Sequence, residues 1–277
     1  MQLAPFTTLS WAYQLHYYIC FRTHRRRVCF AEAHQADVLA AAITEICQHH
    51  EYHLLESQIY PDHLRCLLSL RPDQVVATAV RTIKANASRE CNMQLGLTAP
   101  LWARGYLARG VGRVPLGIVK TYLQQQSEHH GYASRHNPPI HRYRAPEPVP
   151  LTGQHSTFEL SHHLVFATHF RRGVFDSALG ETLGAYWLRV AEKHGFAIDQ
   201  MTILPDHAHL LVRIAPKMSI AECALALLNN GQYFIGNSYP LALVEAGIDQ
   251  LWQPSAYAGT RGLFTTALIK KWLSERE

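Results

Sequence analysis

The chain has 277 residues, 48% of them hydrophobic and 17% charged, with a net charge of +5. That length suits two domains, the hydrophobic share suits a proper core, and wholesale disorder is excluded. No apolar run of about 18 residues occurs, so no spanning helix and no membrane partner are expected. MQLAPFTTLSW lacks a basic segment followed by an apolar core, so secretion is not indicated. Cys20, Cys29, Cys47, Cys66, Cys91 and Cys223 form no CxxC pair, which points to a reducing, cytoplasmic protein with buried thiols. Up to residue 150, Lys and Arg outnumber Asp and Glu by 16 to 10; beyond it they number 10 against 11. The basic field therefore lies in the first half, which favours a polyanionic partner.

Alternating apolar residues predict a first strand over 14–22, followed by a basic turn. ADVLAAAITEICQHH has helical spacing and predicts a helix over about 34–50. Strands are expected at 52–59 and 63–70, with a turn at Pro61-Asp62 between them. A second helix follows at 73–91, then the segment LWARGYLARGVG (101–112), then a last helix at 114–130. Residues 136–156 hold five of the 14 prolines and predict an extended spacer. Past the spacer the order recurs: strand 159–168, helix 177–195, strands 197–203 and 207–214, helix 218–235, helix 264–276.

The recurrence is a tandem duplication. YQLHYYICFRTHRRRVCF (13–30) aligns with FELSHHLVFATHFRRGVF (158–175). YPDHLRCLLSL (60–70) aligns with LPDHAHLLVRI (204–214), and LWARGYLARGVG with LWQPSAYAGTRG (251–262). The expected domains are 1–137 and 157–277, joined by a linker at 138–156. Strand, helix, strand, strand, helix implies an α+β fold: two tandem ferredoxin-like or RRM-like domains, each an antiparallel sheet with helices on one face.

The second copy contains His207-Ala208-His209. Residues i and i+2 of a strand share a face, so the two imidazoles project together and can hold one divalent metal with coordination positions left open. Two histidines on a solvated sheet face would look the same in sequence. In the first copy the phrase is His63-Leu64-Arg65, and an arginine repels a cation.

HHLVFATHFRRGVF, LPDHAHLLV and LWQPSAYAGTRG together resemble the single-tyrosine HUH transposases of small bacterial insertion sequences and their REP-associated relatives. The resemblance covers nearly the whole chain, twice over. It implies a single-strand DNA endonuclease and strand-transferase working through a 5′-phosphotyrosine, with Mg²⁺ or Mn²⁺ on the HUH histidines. It also implies a tyrosine on the last helix, with a metal-binding glutamine four residues on. In this chain those are Tyr122 and Gln126, and i, i+4 residues share a helix face. The matching positions of the second half are Trp272 and Arg276, which offer neither nucleophile nor ligand. Each half is thus broken where the other is whole. The expected arrangement is one composite centre of Tyr122, Gln126, His207 and His209, with a degenerate one of His63, Arg65, Trp272 and Arg276.

The partner implied is single-stranded or hairpin DNA in the cytoplasm, at the nucleoid, bound by a pseudo-dimer within one chain that could suffice as a monomer. Arg25, Arg26, Arg27, Arg171 and Arg172 in the basic turns, and Lys84 and Arg89 on the second helix, are candidate DNA contacts. Trp102, Tyr106, Trp252 and Tyr257 could stack on bases or lie in the core. A non-catalytic hairpin DNA- or RNA-binding regulator domesticated from a transposase is the alternative.

Overall fold

The first half is built on β2 (His16–Arg22), α1 (Ala33–His49), β3 (His53–Tyr60), β4 (His63–Ser69), α2 (Val76–Leu95) and β5 (Tyr106–Val111). The structure is a computed structural model and describes residues 4–97, 100–112, 141–153 and 155–262. Strand order is β3-β4-β2-β5, with antiparallel neighbours throughout. This is the split βαβ arrangement expected from the element order. Along β4, Leu64, Cys66 and Leu68 are buried and alternate with His63, Arg65 and Leu67. The first set faces the core with Leu39, Ile43 and Ile46 of α1 and Val80, Ile83 and Ala87 of α2. The second set lies on the opposite face.

The second half repeats the plan with β8 (Ser161–Thr168), α3 (Ser177–His194), β9 (Ala197–Leu204), β10 (His207–Arg213), α4 (Ile220–Ser238), a short α5 (Pro240–Ala246) and β11 (Trp252–Arg261). Its order, β11-β8-β10-β9, matches strand for strand. Asp176 caps α3 through the Leu179 amide, and a Ser219–Glu222 capping box starts α4. Trp187 stacks on Trp252, with ring centroids 5.5 Å apart, and donates to the Leu227 carbonyl at 2.8 Å. These aromatics fill the space between helices and sheet.

Three features depart from expectation. The Leu-Trp segments, left without an assigned element, contain the strands β5 and β11. The predicted strands 14–22 and 159–168 each divide at a buried leucine, Leu15 and Leu160. The pieces before the bends are β1 (Ser10–Gln14) and β7 (Ser156–Glu159). Each crosses to the other half: β1 runs parallel to β11, and β7 parallel to β5. Finally, the proline-rich stretch is not a bare spacer, because its residues His141–Arg144 form β6, an edge strand antiparallel to β9. Among the described residues the sheets thus have five and six strands. The predicted last helices, 114–130 and 264–276, lie outside the described residues.

Where the halves meet, Gly112 and Gly262 exchange backbone hydrogen bonds of 3.1 and 3.2 Å. Both have positive φ, +148° and +146°. A side chain on Gly262 would run into the Gly110 carbonyl, so only glycine fits there. The Tyr17 hydroxyl meets His162 Nε2 at 2.8 Å, both side chains being buried. These two residues are counterparts in the repeat, so they meet near its approximate two-fold axis.

Candidate active site

β10 carries His207 and His209 on the sheet face away from the helices. Their ring centroids are 5.1 Å apart. His207 Nδ1 lies 2.6 Å from Asp206 Oδ1, and the other oxygen of Asp206 accepts from Arg171 Nε at 2.8 Å and from Nη2 at 2.6 Å. His209 Nδ1 lies 3.1 Å from His163 Nε2 on β8, and these two rings stack. Both Nδ1 atoms are therefore engaged, and neither Nε2 has a hydrogen-bond partner among the described residues. Such engagement of the second nitrogen fixes tautomer and ring orientation in histidine ligands. Burial holds the His209 imidazole down at about 3 and that of His163 at about 4, with neighbouring positive groups adding to it. Asp206 is pushed up by burial, but His207 and Arg171 outweigh this and keep it below the usual carboxylate range. The result is a neutral His209 able to offer a lone pair to a divalent cation, beside an anionic Asp206 whose two oxygens are taken by His207 and Arg171.

The residues present fit a metal only as two donors. Among the described residues, no group of three or more His, Cys, Asp or Glu side chains is arranged to hold a metal ion. A full shell needs a further ligand, and Gln126 lies outside the described residues, as do Tyr122, Trp272 and Arg276.

Arg171 reaches Asp206 because of its backbone. The turn after β8 (His169–Arg171) puts Phe170 and Arg171 at φ 52° and 56°. Left-handed non-glycine residues cost roughly 1 kcal/mol each and persist where the surroundings fix them. Here the Thr168 hydroxyl donates to the Arg172 and Asp206 carbonyls at 2.6 and 3.0 Å and ties the turn to the β9–β10 corner. The first half repeats all of it. Arg25 and Arg26 have φ 52° and 55°, Thr23 bonds the Arg27 and Asp62 carbonyls, and Arg26 Nε donates to Asp62 Oδ2 at 2.9 Å. Asp62 Oδ1 is 2.7 Å from His63 Nδ1.

The copies diverge beyond that shared frame. Arg65 stands where the second half has His209. Its guanidinium lies over the Tyr60 ring at 4.2 Å and donates to the Tyr60 hydroxyl at 3.1 Å. Tyr60 also stacks on His63, with centroids 4.3 Å apart. Tyr18 replaces His163, and Arg22 replaces Ala167, which pairs with His207 across the strands.

The expected DNA contacts separate into groups. Arg25, Arg89 and Arg172 are exposed. Arg26 and Arg171 are ion-paired to Asp62 and Asp206, and Arg27 donates to the Pro100 carbonyl at 2.6 Å. Lys84 is part-buried and donates to the carbonyls of Ala103, Arg104 and Gly105 at 2.5, 3.3 and 3.4 Å. Burial lowers its pKa to about 8, so it ties α2 to the approach to β5 instead of lying open to a phosphate. Trp102, Trp252 and Tyr257 are core residues. Asp206 and His163 were missed in sequence. The signals available were the Asp preceding the histidine in both copies and the His162-His163 doublet on the adjoining strand.

The family model described as "Transposase IS200 like" matches residues 11–126 and again 156–276. The ISDra2 transposase TnpA of Deinococcus radiodurans is 25% identical over 124 residues, which cover 45% of this chain and 89% of that protein. The transposase for insertion sequence element IS200 of Salmonella typhimurium is 30% identical over 68 residues, 24% of this chain and 45% of that protein. Among solved structures, a REP-associated tyrosine transposase bound to a REP hairpin aligns with a TM-score of 0.30 and 15% identity, over 45% of this chain and 67% of that one.

Proposed function

Since the chain belongs to the IS200-like transposase family, we propose that it cuts and rejoins single-stranded DNA at one composite centre shared by two fused domains, 1–137 and 157–277. Tyr122 is the nucleophile. Its phenol oxygen bonds to the scissile phosphorus, the bond to the 3′ oxygen breaks, and that oxygen leaves as a 3′-hydroxyl with the proton the phenol gives up. The phosphotyrosine ester conserves the energy of the broken bond, so a second 3′-hydroxyl can reverse the step. His207 and His209 supply Nε2 donors, and Gln126 a neutral amide oxygen, to Mg²⁺ or Mn²⁺, which when bound polarises the phosphate and stabilises the charge that builds on it. Asp206 and His163 hold the two imidazoles in orientation, and Arg171 keeps Asp206 ionised and in place.

The observation that carries this reading is the contrast between the two histidine phrases. Among the described residues the Nε2 atoms of His207 and His209 have no partner, whereas Arg65 fills the matching place in the half that retains a tyrosine. The strand exchange supports assembly across the halves, because each sheet already depends on the other half's chain. The test is a covalent adduct assay with labelled single-stranded DNA and Mn²⁺. Tyr122→Phe and His207→Ala each abolish the adduct, and His63→Ala does not. An adduct retained in Tyr122→Phe sinks the assignment. Wild-type protein that binds hairpin DNA without forming an adduct would be a regulator instead.

A further inference from the structure

The first half's histidine site has not simply decayed. Its Arg-Asp-His frame is intact: Arg26 on Asp62, Asp62 on His63. Held this way, His63 is 6% exposed, and its Nε2 is buried with no hydrogen-bond partner among the described residues. A buried polar atom left unsatisfied costs about 1–3 kcal/mol, so a frame that still enforces it implies a group to be met there. Arg65 stands beside it, and its Nε is likewise buried and has no partner among the described residues. Its one hydrogen bond among the described residues goes to a neutral phenol, Tyr60, and no carboxylate among them pairs with it. On the neighbouring β3, Gln58 pairs with Arg65 across the strands and donates to Glu56 at 2.7 Å. Relative to the second half, Arg22 for Ala167 and Arg65 for His209 add two fixed positive charges.

We propose that this site is a metal-independent phosphodiester clamp, in which the Arg65 guanidinium, stacked on Tyr60, and His63 Nε2 grip one backbone phosphate of DNA. A guanidinium is always charged and bonds phosphate oxygens in a fork. It supplies without an ion the positive charge that the other half obtains by ligation. Tyr60 holds the guanidinium plane by stacking and leaves its unpaired edge for an anion. The clamp rests on the reading that DNA is the partner, but not on cleavage.

The experiment is DNA binding by the full chain in EDTA, on a mixed-sequence single-stranded 20-mer over a range of NaCl. Losing one phosphate contact on a single strand reduces the slope of log affinity against log salt by about 0.7. Arg65→Gln is expected to lower the slope by that amount and weaken binding about fivefold, and Arg65→Lys, which keeps the charge, to retain the slope. In wild type, DNA should shift the ¹⁵N resonance of His63 Nε2. Unchanged affinity and slope in Arg65→Gln, or an unmoved His63 resonance, overturns the clamp and leaves the proposed function standing. Displacement of the DNA from wild type, but not from Arg65→Gln, by millimolar inorganic phosphate would make this a small-anion site and overturn the DNA assignment. No binding by wild type in EDTA overturns the clamp, and no binding after Mn²⁺ is restored overturns both readings.

Discussion

The two PDH phrases occupy the same place in two copies of one fold and hold their first histidine in the same way. Asp62 and Asp206 each take one imidazole Nδ1 and one arginine from a left-handed turn. They differ two residues on, where His209 meets His163 and Arg65 meets Tyr60. Thus a frame that orients a histidine is separable from the chemistry built on it. The same scaffold presents a pair of imidazoles in one copy and a fixed cation in the other.

Comparable effects in both copies would break this contrast, and unequal ones sharpen it. The largest inequality is expected in cleavage of single-stranded DNA with Mn²⁺. His207→Ala should lose on the order of a hundredfold to a thousandfold, while His63→Ala, measured at saturating DNA so that a weakened phosphate contact does not limit the rate, stays within about twofold. Next come the orienting residues. Asp206→Asn or His163→Leu should cost about ten- to a hundredfold in metal affinity, followed by Mn²⁺ titration, as is usual for groups that orient a ligand; Asp62→Asn should leave it unchanged. At the seam, Gly262→Ala forces a Cβ against the Gly110 carbonyl. It should destabilise the fold by about 2 kcal/mol in urea unfolding, within the range for strained positive-φ positions.

The remaining effect separates Tyr17 from His162, is absent at neutral pH and grows as the pH falls. Burial lowers the His162 pKa from 6.5 to about 3, so the unfolded chain takes a proton there before the folded one. Stability is then fully present above pH 6.5 and falls by up to about 1.4 kcal/mol per unit as the pH drops toward 3. His162→Gln should remove this component from a pH series of denaturation curves.

Much of the fold was legible because β4 and β10 alternate cleanly and α1 to α4 carry helical spacing. The strands β5 and β11 were not, because Arg109 and Gly110 in one, and Pro254 and Gly259 in the other, interrupt the apolar pattern. Nor was the strand exchange: an apolar run passes through Leu15 or Leu160 unchanged whether the chain bends there or not. His207 and His209 could be placed together by strand periodicity alone. His163 could not be added, since it meets His209 diagonally across strands and the register is absent from sequence. Arg26 and Arg171 looked like solvated basic turns because nothing in Arg25-Arg26 or Phe170-Arg171 announces a positive φ.

The crossing of β1 and β7 bears on how such a chain can change over generations. A half produced alone would lose its neighbour's strand and present the bare edge of β11 or β5, and bare edges recruit other chains. Fission of the gene would therefore yield sticky fragments in place of two small proteins. Once fused and grown unlike, the copies are inherited as a unit, and each is free to specialise only as far as its sibling compensates.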